Sequence, residues 1–181
     1  MSITRNNLKN APMSSAPFVY EEDGTVAWNK MWNTFCYLAV EGGPPHRGTK
    51  LIGRGNTNDP SQKLYKDAVT EILRAYKLLI PYKVRHHETG WLAIKLHTAN
   101  MARWFETIIN EENVECRRTG KIIFLPVNDD YTLEKEIKNV ITVMTKAYHY
   151  WRDHRVVVEK LLIMLFNYDI QFELNRETKS K

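Results

Sequence analysis

The sequence predicts an α+β fold: a ββαββα core whose four-stranded antiparallel sheet has the order 1-2-4-3, with two leading helices and a long C-terminal helix. Three observations carry this expectation. Two stretches offset by thirty residues, "VRHHETGWLAIKL" from Val84 and "VECRRTGKIIFLPV" from Val114, each read as a strand, a tight turn and a second strand. Each is followed by a segment whose apolar residues recur at helical spacing. Two more helical patterns precede them, separated by a glycine- and proline-rich loop.

The elements follow in chain order. Residues 1–20, mixed Asn, Ser, Pro and Ala, read as a flexible leader, 21–174 as one α+β domain, and 175–181 as a polar tail. The first helical stripe holds Trp28, Met31, Trp32, Phe35 and Ala39, and Gly42-Gly43-Pro44-Pro45 stops it. Asp59-Pro60 reads as a helix start, because Asp accepts from unpaired amides and Pro suits the first helical position. The helix that follows places Tyr65, Ala68, Ile72, Tyr76 and Leu79 on one face, and Pro81 ends it.

In the repeated hairpins Thr89-Gly90 aligns with Thr119-Gly120, each glycine supplying a positive φ. The helix after the first hairpin turns Met101, Trp104, Phe105 and Ile108 inward. The one after the second begins near Thr132 and turns Ile137, Val140, Ile141, Met144, Tyr148 and Trp151 inward. A right-handed crossover then leaves room for strand 4 between strands 2 and 3, a circular permutation of ferredoxin-like topology. Strand 4, "KIIFLPV", is apolar on both parities, which predicts cover on both faces, with the leading helices on the second. Ile170, Phe172 and Leu174 alternate like a fifth, edge strand.

Composition narrows the function classes. At 43% hydrophobic residues the chain can bury a core. Of the net charge of +5, Arg5 and Lys9 place +2 on the leader and "NRETKSK" places +2 on the tail, leaving +1 for 21–174. Cys36 and Cys116 form no metal or disulfide spacing, so a reducing, cytoplasmic setting is the expectation. The most apolar stretch, "VVVEKLLIMLF", is eleven residues with two charges, too short for a bilayer. Val156, Val157, Val158, Leu161, Leu162, Met164, Leu165 and Phe166 crowd more than one helix face, which predicts a homodimer.

The candidate site begins with "EGGPPHRGTKLIGRG", Glu41 to Gly55. It carries five glycines and the donors His46, Arg47, Lys50 and Arg54, with no acid between Glu41 and Asp59. Such a loop leading to a helix start suits a phosphate or carboxylate, although it matches no phosphate-loop motif. Arg85 and His87 lie on the strand that follows and extend the basic set. Lys83, Lys95 and Arg117 share their parity, and Arg118 and Lys121 sit near the second turn.

His86 and His87 fall on opposite sheet faces and cannot share a metal, with His86 toward the apolar side. No nucleophile motif is present, and the paired carboxylates lie at helix ends. The reading is a non-enzymatic binding module for a small anionic ligand or an acidic partner segment, with no cofactor, metal or membrane role. A nucleic-acid-binding protein is the second reading and an enzyme the third. Against the second stands the lack of an evident exposed aromatic on a central strand.

Overall fold

A computed structural model describes residues 17–31, 48–55 and 58–152. The chain divides into two compact units, 1–148 and 149–181. Of the second unit, residues 149–152 are described, and they are helical. The first leading helix, the apolar 156–166 segment and the possible fifth strand fall mainly or wholly outside the described residues.

Helix α1 spans Lys63–Leu79 and buries Tyr65, Ala68, Ile72, Ala75 and Tyr76, close to the expected stripe. It starts three residues after Pro60. The Asp59 carboxylate does not cap it. That group instead accepts from the backbone N (2.9 Å) and hydroxyl (2.6 Å) of Ser61, closing a local turn that delays the helix. At the other end the Ile80 amide donates to Tyr76, and Pro81 prevents continuation.

Strands β1 (Lys83–Glu88), β2 (Trp91–Lys95), β3 (Arg117–Thr119) and β4 (Ile122–Pro126) form one antiparallel sheet of order β1-β2-β4-β3, as expected. Between β2 and β3 lies α2, Ala99–Glu111, whose Met101 amide donates to the Thr98 hydroxyl. Its buried stripe is Met101, Ala102, Phe105 and Ile109, while Trp104 and Ile108 are only half-buried. The expected stripe is thus rotated toward Ala102, which is fully buried along with Phe105 and Ile109.

After β4 the chain enters α3. It opens as a π-helical turn at Leu133–Ile137 and continues as α-helix over 138–148. The Ile137 amide reaches back to the Thr132 carbonyl, five residues earlier, and the Glu136 carboxylate accepts from both the amide and hydroxyl of Thr132. The wide first turn brings the Glu136 carboxylate, four residues on, to both Thr132 donors, a one-way clasp in which the Thr132 hydroxyl caps no helix amide. From Ile137 to Ala147 every residue is buried, so the polar ones need partners. Thr142 and Thr145 donate to the carbonyls of Asn139 and Ile141, and Lys146 pairs with Glu112.

Register sorts the sheet into two faces. Leu92, Ile94, Ile123 and Leu125 make one, and all four are fully buried. His86 and Arg118 share this face by pairing with Leu92 and Ile123. His86 meets the Tyr65 hydroxyl of α1 at 2.8 Å, and Arg118 meets Glu106 of α2 at 2.8 Å. Both helices therefore lie on the same side. This corrects the expectation that α1 covers the second face. Buried Tyr76 of α1 donates to the Val140 carbonyl of α3, which joins the helices to each other.

Candidate functional site

The second face carries the chemistry. One row crosses all four strands in register: Arg85, Ala93, Phe124 and Arg117. The next row is Lys83, Lys95, Ile122 and Thr119. Lys83, Arg85, Lys95 and Arg117 are exposed, and Ile122 and Phe124 are half-buried. A bulge between His86 and Glu88 adds His87 to the edge of β1. It lays the imidazole against Phe124, ring centroids 5.0 Å apart. Bulges re-aim side chains in this way, and here the result is a histidine–phenylalanine pair at the middle of a basic surface.

Beside that pair lies a depression of about 430 Å³ lined by Lys83, Val84, Arg85, Ala93, Lys95 and Ile122. Its lining holds three cations and no acid. Among the described residues, Lys83, Arg85 and Lys95 make no ion pair or side-chain hydrogen bond. Three like charges gathered without a counter-charge raise the local potential, and an anion relieves it. Arg117 places its guanidinium carbon 3.9 Å from the Trp91 ring centroid and donates from Nε to Glu115 at 2.9 Å.

The described part of the loop before α1 packs against the sheet and the segment that follows β4. Leu51 pairs in parallel with Val114. The Gly53 backbone amide donates to the Glu115 carboxylate, the Arg54 backbone amide to the Asn128 side-chain Oδ1, and the Asn128 side-chain Nδ2 to the Ile52 backbone carbonyl. Asn58 completes the clamp: its amide group donates to Asn128 and to the Gly55 carbonyl, and its oxygen accepts from the Asp129 amide. Gly53 rests on the Trp91 indole so closely that an added Cβ would stand 2.3 Å from a ring carbon. The described part of the loop thus seals one end of the sheet.

The candidate residues separate accordingly. Arg54 forms ion pairs with Asp129 and Asp130, which corrects the expectation that this loop's cations have no acid to neutralise them. Sequence distance hid those acids, which follow β4. Lys50 is exposed, and His46 and Arg47 lie outside the described residues. Arg85 and His87 sit together on the open face. Arg118, grouped with the basic rim on sequence, belongs to the helix-covered face instead.

Sequence reasoning missed Phe124, because an apolar β4 was read as covered on both sides. The hairpin register about Gly120 was the available signal, since it pairs Phe124 with exposed Arg117. Cys116 is buried, and burial pushes its thiol well up from its ordinary value, which suits an inert core residue. No helix among the described residues is long and apolar enough to cross a membrane. No protein-family model, no curated protein and no solved structure matches the chain.

Proposed function

We propose that this protein is a non-enzymatic binding module that takes an anionic ligand on the open face of its sheet. One observation carries the reading: Lys83, Arg85 and Lys95 surround one depression, and neither its lining nor an ion pair supplies an acid. Arginine contributes a planar two-pronged donor, and the lysines contribute mobile point charges. The loop before α1 supports this surface by packing on Trp91 and holding Glu115, which in turn orients Arg117. Among the described loop cations, Lys50 is exposed and Arg54 is engaged with acids. We place the protein in the cytoplasm, a setting that the buried, free Cys116 thiol fits.

Calorimetric titration with inorganic tripolyphosphate at low salt tests the reading. The triple variant Lys83→Ala, Arg85→Ala, Lys95→Ala should bind at least about tenfold more weakly, as loss of charge-assisted contacts requires. Its melting temperature should stay near that of the parent, since exposed cations without partners contribute little to folding. Equal binding by parent and variant would sink the proposal.

A further inference from the structure

We infer that the anion held on this face is single-stranded nucleic acid, one base stacking on Phe124 and neighbouring phosphates lying over the surrounding cations, an assignment that rests on the anion-binding reading of the same face. The cations alone specify an anion. The rings specify more. Phe124 stands on a central strand, half-buried, on the basic face. Its in-register neighbour on β2 is Ala93, a small side chain that is itself buried, so no bulky residue of the adjacent central strand stands level with the ring. On the β1 side the bulge delivers the His87 imidazole to within stacking range. A half-exposed aromatic ring offers a π-face to any base that is out of a helix, and such stacking tolerates every base.

The charge pattern fits the same ligand. Arg85 and Arg117 lie at the two ends of the Phe124 row, on opposite edge strands. Lys83 and Lys95 lie in the next row, two residues along their strands. A backbone crossing the sheet therefore meets cations on both sides of the ring. Arg117 lies over the Trp91 ring and donates Nε to Glu115, and among the described residues its two terminal amino groups make no hydrogen bond, which leaves them for a phosphate. An inorganic polyphosphate would use the cations and leave Phe124 and His87 idle. A duplex keeps its base faces stacked away from the ring.

Fluorescence anisotropy on the full chain decides it. The probe is an end-labelled, mixed-sequence single strand of about twelve nucleotides, within the range one small sheet engages. Its blunt duplex and inorganic tripolyphosphate serve as competitors. The single strand should bind about tenfold tighter than the duplex. Phe124→Leu, which keeps an apolar side chain over Ala93, should weaken the single strand by roughly five- to a hundredfold. It should leave tripolyphosphate within about twofold, since the cations are untouched. Phe124→Trp should restore the single strand, which a merely structural role would not. If tripolyphosphate binds but the single strand binds no tighter than the duplex, or Phe124→Leu leaves its affinity unchanged, the nucleic-acid assignment fails and the anion-binding reading survives. If none of the three binds at low salt, both fail.

Discussion

Gly90 and Gly120 occupy the two hairpin turns with φ of +88° and +57°, yet they differ in what surrounds them. A Cβ on Gly90 would stand 2.7 Å from the Gly55 nitrogen and 2.8 Å from its Cα, both backbone atoms that cannot swing aside. A Cβ on Gly120 meets nothing within 4 Å. Gly90→Ala should therefore cost about 3–4 kcal/mol, combining backbone strain with a forced shift of the loop. Gly120→Ala should cost only about 1 kcal/mol, and Gly120→Asn less, because Asn tolerates the left-handed region. Urea unfolding of the three variants checks the order, and equal losses at the two glycines would contradict it. The positive φ was legible in each Thr-Gly pair. The crowding was not, because Gly55 reaches Gly90 only through the docking of a loop thirty-five residues earlier.

At the scale of elements, the strands, their order and the buried stripe of α1 were legible, because each follows from local periodicity and one handedness rule. The two faces of β4 were not. Apolar residues on both parities suggested two covers, but Ile123 and Leu125 face the helices while Ile122 and Phe124 form a half-open platform. The pairing of Arg54 and the clamp on the described part of the loop were not legible for a related reason: the acids and the clamp come from residues 113–130. Asn128, nearly fully buried, binds the Ile52 carbonyl, the Arg54 amide and the Asn58 side chain at once. Asn128→Ala should cost about 3 kcal/mol, since it strands several polar groups at a buried point. Amide exchange at Gly53 and Arg54 should quicken in parallel. Arg54→Ala, removing a guanidinium in partly exposed ion pairs, should cost less than about 1 kcal/mol and leave anion binding unchanged. Unchanged melting in Asn128→Ala would show that the loop is merely draped on the sheet.

Across the whole molecule, alkaline pH has a definite sign. Burial raises the titration of the Tyr76 hydroxyl well above its ordinary value, and burial likewise raises the Tyr65 hydroxyl and the Cys116 thiol. Each group holds its proton more firmly folded than unfolded. Their contribution is complete below the ordinary thiol and phenol values and falls as pH climbs past them, from about pH 9 upward. Lys138 acts in the opposite direction, since burial lowers its ammonium. Among the described residues three groups stand against one and predict a net loss, so the melting temperature should fall from pH 9 to 11, less steeply in Tyr76→Phe. A flat profile in the parent would contradict the burial of these groups.

Charge also belongs to this scale. Most of the +5 lies on the chain ends, and the near-neutral body concealed a local cluster on one sheet face. Net charge averages over a surface, whereas register decides which side chains share it. If about four phosphates are engaged, the logarithm of the single-strand affinity should fall with the logarithm of salt at a slope near −3. A slope near zero would remove the electrostatic basis of recognition.

The central claim, that the open face of the sheet and not the loop before α1 is the recognition surface, is tested most directly by amide chemical-shift mapping while inorganic tripolyphosphate is titrated into the isotope-labelled protein. The account predicts that the largest shifts fall on Lys83, Val84, Arg85, Ala93, Lys95 and Ile122, in one saturable event. Shifts concentrated between Gly42 and Gly55, with the sheet residues still, would contradict it.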